Sequence, residues 1–336
     1  MGSLKKFELF LKQRMILRRS SVAASLLVAI VGATSPNASS AQTKKPAHKS
    51  STATPVKPAK VDCGGGVELR VSAASPAQGT LLIAEVRSAK TLTGIAGKFT
   101  DRDISFWQAA GANIPKGTNV WRALLGVDLE QAAGDYNLNV TGKSADGSAL
   151  ACEAPIAVRV GKFPTERLKV APNFVEPNPE QAAKAAEDQK KLRALYATAT
   201  PEKLWTGPFG IPLDGVKTGG NFGKRRVLNG KSNSPHSGVD LPSPTGTPVH
   251  AAQSGRVVLA EELYFAGNTV IIDHGFGIYT LYGHFSEIDA KVGDEVKVGD
   301  VIGKVGATGR VTGPHLHWGL EVDRARVNAM EIVGKQ

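Results

Sequence analysis

"VGDEVKVGDVIGKVG", residues 292–306, carries the decisive pattern for the fold. A Val-Gly-Asp unit stands at 292–294 and again at 298–300, and glycine returns at 303 and 306. Apolar pairs cut by Gly-Asp suit short strands joined by tight turns. Glycine takes left-handed backbone without a Cβ penalty, and aspartate satisfies turn amides. No helical period interrupts the stretch. It reads as a hairpin of a compact β sandwich or barrel. The same texture extends back through "TPVHAAQSGRVVLAEEL" and "NTVIIDHGFGIYTLYGHFSEI" to Trp205, so residues 205–336 form one all-β domain.

Upstream, "PNPEQAAKAAEDQKKLRALYATATPEKLW", residues 177–205, is the one strong helix pattern. Pro179 and Glu180 suit a first turn, and Leu192, Leu195 and Tyr196 mark a narrow apolar stripe. It predicts a helical linker within 162–204. Residues 61–161 read as a small antiparallel β sandwich with no histidine, suited to spacing, docking or shielding. There Trp107 and Trp121 suit core or contact roles equally. Residues 42–60, rich in Lys, Pro, Ser and Thr, read as a flexible tether carrying His48. The expected fold class is therefore all-β, two β domains joined by a helix.

Residues 1–41 combine six basic residues, the uncharged run "SVAASLLVAIVGA" and small residues at Ser39 and Ala41. This is a secretory signal pattern, too short in its apolar part to span a bilayer comfortably. It predicts export to the periplasm, cell envelope or exterior, with membrane contact only in transit. The formal charge of +11 stays positive without this segment, which suits an anionic envelope polymer. No basic cluster is interleaved with aromatics, so nucleic acid is excluded as a partner class. The two cysteines, Cys63 and Cys152, form no CxxC; in an exported chain they predict one structural disulfide.

Six of the seven histidines fall between residues 236 and 317. His315 and His317, in "GPHLHWGL", share one face of a strand while Leu316 points the other way. Alone, the pair is equally two polar strand residues. "SPHSGVDLPSPTG" places His236 and Asp240 on an irregular loop entering a strand. Alone, Asp240 is equally a turn carboxylate. His, Asp and His together are a plausible zinc set with a fourth position for water. His284 in "LYGHFSEI" alternates with Tyr282, so both would face one side. His274 suits a structural place in a turn and His250 a packing one.

The pieces "FGKRRVLNG", "HSGVDL", "GTPVHAAQSGRVV", "TVIIDHGFG", "YTLYGHFSEI" and "VKVGDVIGKVGATGRVTGPHLHWGL" together resemble the LytM/lysostaphin-type zinc metallopeptidases, the M23 peptidases. The resemblance covers close to a hundred residues, 222–320. It implies that His236, Asp240 and His317 bind Zn2+, while His284 and His315 line the site as catalytic groups. It implies a zinc metalloendopeptidase that hydrolyses peptide bonds in bacterial peptidoglycan through a metal-activated water, with peptidoglycan peptide chains as partner. One departure is Trp318-Gly319, where the family often has Phe-Glu; it bears on substrate preference more than on metal binding.

No HExxH occurs, so a helical glutamate base is absent. His315 is the expected base and His284 the expected support for the oxyanion, although the sequence leaves their division of labour open. Asn221, Arg225, Arg226 and Tyr282 are expected along the substrate groove. Two rival readings remain: a catalytically silent envelope module that binds peptidoglycan or activates another wall hydrolase, and a lipoyl-type carrier. The carrier needs a lysine displayed at a hairpin tip, whereas Lys304 lies inside a strand-like run.

Overall fold

The structure, a computed structural model, describes residues 57–111, 114–169, 177–232 and 234–335. The expected signal segment, 1–41, and most of the expected tether lie outside the described residues. The tether ends sooner than expected: strand Ala59–Asp62 already pairs with Val67–Val71.

The first domain is two facing antiparallel sheets. One runs in the order Ala59–Asp62, Val67–Val71, Leu81–Ser88, Asn119–Gly126, Trp107–Gln108; the other runs Arg102–Ser105, Leu92–Phe99, Gly134–Ser144, Ala149–Val158. Alternation along the strands buries Leu69, Leu82 and Leu125 from one sheet against Phe99, Leu138 and Ile156 from the other. Cys63 and Cys152 are joined, tying the turn after the first strand to the last strand.

The helix is Pro179–Tyr196. Asn178 accepts the Gln181 amide while the Gln181 side chain accepts the Asn178 amide, a reciprocal cap that fixes the start. Leu192, Leu195 and Tyr196 pack on Leu259, Leu263, Ile271 and Tyr279. The linker is not helical throughout. Strand Thr165–Leu168 pairs in parallel with Arg225–Leu228, a non-local partner invisible to local pattern.

The C-terminal sheet runs Gly238–Pro242, His315–Val322, Ile278–Ile288, Gly267–Asp273, Gly255–Leu263, Glu295–Val296. Strand Val301–Val305 pairs with both Pro248–His250 and Ile278–Ile288. Thus 292–306 is not a hairpin, contrary to the sequence reading. Each Lys-Val-Gly-Asp unit is a separate turn. The Lys291 and Lys297 amides donate to Asp294 and Asp300 carboxylates at 2.8 Å, and Gly293 and Gly299 take positive φ. Two turns in succession send the short strands to different partners. Lys304 pairs with Glu287 at 2.6 Å from within its strand, not from a hairpin tip.

The domains meet over Trp107, which packs edge-on to Trp205 at 5.1 Å and stacks on Phe276 at 6.0 Å. Trp121 instead packs against the core of its own domain. Gly126 is required at the seam, because a Cβ there would sit 2.6 Å from Ala325 Cβ. Arg326 reaches back to Asp128 at 2.8 Å, and the Leu81 amide donates to Glu331 at 2.7 Å.

Candidate metal centre

Strand pairing brings the distant motifs together. Asp240 lies directly opposite His317, and His317 lies opposite Gly283 on its other side. Cross-strand partners share a face, so Asp240 and His317 project together. His315, two residues earlier, shares that face. Leu316 and Trp318 are fully buried on the opposite one, so the Trp318 departure lies in the core and not against the ligands. Gly238 makes room for the His317 ring, since a Cβ there would stand 2.7 Å from its Nε2.

His236 Nε2 lies 2.9 Å from His317 Nδ1 and 3.1 Å from Asp240 Oδ1; His317 Nδ1 is 3.5 Å from that oxygen. Tetrahedral zinc with N and O bonds near 2.1 Å has ligand–ligand edges of about 3.4 Å, so the triangle fits such an ion with slight compression. The proton inventory points the same way. His236 Nδ1–H donates to the Asn221 carbonyl at 3.1 Å, which leaves a lone pair at Nε2. Asp240 Oδ1 is buried and, among the described residues, is approached only by imidazole nitrogens, at 3.1–3.5 Å. Two imidazole nitrogens and a carboxylate oxygen converging within 3.5 Å make a donor set that suits a cation. Burial pushes the Asp240 carboxyl up, but His236, His315 and His317 outweigh it and hold the group well below the ordinary carboxylate range. Burial also lowers the His317 imidazole.

His315 and His284 flank the triangle. His315 Nδ1–H donates to the Gly313 carbonyl at 2.9 Å, and its Nε2 lies 3.4 Å from Asp240 Oδ1. That carboxylate raises the imidazole's pKa. His284 Nδ1–H donates to the Thr308 carbonyl at 2.9 Å, and its ring centre is 4.8 Å from that of His315. Burial, then the neighbouring His317, pushes His284 down to about 3.

Tyr282 is not a groove residue. It is fully buried, its hydroxyl accepts the Ala252 amide at 2.9 Å, and burial pushes it up to about 12. The reason is a bulge. His284 has φ of 68°, and pairing shifts register between Asn268 and Val270, opposite this point. The bulge breaks the two-residue alternation, so Tyr282 and Phe285 both face the core while His284 turns to the metal-site face.

Asn221 is closer to the chemistry than a groove lining. Its backbone takes a left-handed φ of 68°, tolerated by asparagine, and its amide donates to Asp240 Oδ2 at 2.8 Å. Asn221 thus orients two of the three metal-facing side chains. Arg225 and Arg226 each turn to a carboxylate of another element, although the Arg226 charge still reaches His315 and acts to lower its pKa. They pair with Glu130 at 3.9 Å and Glu166 at 3.6 Å, because parallel pairing with Thr165–Leu168 aligns their strand with the linker. His274 is buried, with Nδ1–H donating to the Ser254 carbonyl at 2.8 Å and Nε2 2.7 Å from the Thr280 hydroxyl. His250 lies 2.9 Å from the Gly299 carbonyl.

Residues 234–329 match the model of peptidase family M23. This segment is similar to the M23 peptidases. The matched residues exclude the first β domain and the connecting helix. The chain is 46% identical over 112 residues to the peptidoglycan DD-endopeptidase ShyA of Vibrio cholerae, covering 33% of this chain and 26% of that protein. It is 41% identical over 97 residues to the DD-carboxypeptidase/endopeptidase Mpg of Neisseria meningitidis, covering 29% and 22%. The chain therefore spans about a quarter of the length of these curated relatives. A crystal structure assigned to peptidase M23 from Pseudomonas aeruginosa aligns over 78% of this chain and 96% of its own, with 27% identity and a TM-score of 0.55. That alignment extends well beyond residues 234–329.

Proposed function

We propose that the protein is an exported zinc endopeptidase that hydrolyses peptide bonds in bacterial peptidoglycan. The observation that carries this reading is the 2.9–3.5 Å triangle of His236 Nε2, His317 Nδ1 and the buried Asp240 Oδ1. The substrate class is supported by the activities for which ShyA and Mpg are named. The disulfide is consistent with export.

When bound, a zinc ion supplies a positive centre that polarises a carbonyl and acidifies water. The remaining chemistry belongs to the side chains. His315 keeps its Nε2 lone pair inward because Nδ1–H is committed to Gly313, and the Asp240 carboxylate strengthens it as a base. It takes the proton from the attacking water and returns it to the leaving amine. His284, held in the same tautomer by Thr308, is an acceptor at Nε2 and orients that water. Its depressed basicity argues against the oxyanion-donor role expected from sequence, since donation needs a proton on Nε2. Asn221 fixes Asp240 and His236 from behind.

Digestion of purified peptidoglycan, with products identified by mass, tests the reading. New amine ends that vanish with a chelator and return with zinc are expected. A zinc-loaded protein that releases no amine ends from the walls of several bacteria would overturn the peptidase reading in favour of a silent envelope module.

A further inference from the structure

The helix Pro179–Tyr196 lies outside residues 234–329, yet one of its side chains reaches the framework of the site. Asp188 is 4% exposed on an otherwise largely solvated helix. Its Oδ2 accepts the Tyr264 amide at 2.7 Å, and its Oδ1 accepts Lys184 Nζ at 2.5 Å. Tyr264 opens the tip between strands Gly255–Leu263 and Gly267–Asp273. In that tip the Ala266 carbonyl accepts the His284 amide at 2.7 Å, and the Phe265 carbonyl accepts the Arg310 amide at 3.0 Å.

The tip and the 308–310 loop interlock around His284. The Asn268 amide donates to Thr308 Oγ1 at 2.9 Å, and a Cβ on Gly267 would stand 2.4 Å from the Thr308 backbone. Thr308 in turn holds His284 Nδ1–H. His284 thus has its strained backbone fixed by one side of this clamp and its imidazole by the other. A cavity of about 520 Å³, lined by Lys184 from the helix and Arg310 from the loop, lies beside the clamp. The helix therefore reaches the clamp through the Tyr264 amide.

We propose that Asp188 is a positioning residue for His284, acting through the Tyr264 amide and the 264–268 tip. This rests on the reading of His284 as a group that orients water in peptide hydrolysis. It makes the connecting helix, and not only residues 234–329, part of the catalytic geometry.

The test uses the full chain. Asp188→Ala should lower turnover on peptidoglycan about tenfold with KM and zinc content unchanged, since misplacing a reacting group costs rate rather than binding. Asp188→Asn keeps an acceptor for Tyr264 and should stay within about threefold of wild type. Lys184→Ala, which leaves the Tyr264 bond, should do likewise. Hydrogen exchange gives a readout free of activity: the His284 and Arg310 amides should exchange about tenfold faster in Asp188→Ala. In the wild type alone, the Tyr264 and His284 amides should share one opening equilibrium within about threefold. Should Asp188→Ala not fold, that wild-type comparison decides. A wild type inert on every wall, with the exchange coupling present, sinks the peptidase reading but keeps the positioning link. Normal turnover in Asp188→Ala, or His284 protection that survives opening at Tyr264, overturns the proposal.

Discussion

Two half-buried carboxylates set the domain seam against the metal centre. Asp128, at the seam, accepts Arg326 Nη2 at 2.8 Å and Nε at 3.0 Å, along with the Arg326 amide at 2.9 Å and the Glu130 amide at 2.8 Å. Burial pushes its carboxyl up, and these donors outweigh it. Asp240 has one amide donor, from Asn221, on Oδ2; around Oδ1 it has only imidazoles. The seam contains its own permanent cation, whereas the site surrounds an anion with groups that are neutral ligands when deprotonated. The seam therefore carries its own counter-charge, and the site has the make-up of a group that could hold a metal ion.

The largest effect should come from removing a ligand. His317→Ala should lose bound zinc and at least about a thousandfold in hydrolysis, while the seam and the first domain stay folded. Metal content and circular dichroism, read together, check this; retained zinc would break the contrast. A buried histidine away from the metal sharpens it. Burial pushes His274 down to about 4. Between pH 6.5 and 4 the unfolded chain binds the proton more readily, so stability falls as pH falls. The loss should reach roughly 3 kcal/mol. Unfolding free energies from urea titrations of wild type and His274→Gln across that window should diverge by this amount, and parallel curves would contradict it. Asp128→Ala should cost about 2 kcal/mol by removing the main partner of Arg326, which keeps only Glu130 at 3.0 Å, with zinc content and turnover per folded molecule unchanged. The smallest effect belongs to Asn221→Ala, which should weaken zinc about tenfold, read by competition with a chelating dye.

How much of this was legible in the sequence follows from the physics of each signal. The spacings of His236 to Asp240 and of His315 to His317 state which side chains can share a strand face or loop. The repeated Gly-Asp turns marked an all-β domain. The partners of those turns were not legible, because pairing of Val301–Val305 with Pro248–His250 is a tertiary choice. Strand Thr165–Leu168 was missed for the same reason, its partner lying 60 residues away in sequence. Tyr282 was misassigned because strict alternation fails at one left-handed residue, His284, and nothing in "LYGHFSEI" announces a bulge. The signal for Asn221 was an asparagine in a glycine-rich turn, where such residues take positive φ; its grip on Asp240 needed the fold.

The central claim is tested most directly by X-ray absorption at the zinc edge on protein loaded with one equivalent of metal. The account predicts a first shell of two imidazole nitrogens and carboxylate oxygen at about 2.0–2.2 Å, with the remainder from water. It predicts the same shell in His315→Ala and its loss in His317→Ala. A three-imidazole shell that loses one nitrogen in His315→Ala, or a chain that takes up no zinc, would contradict it.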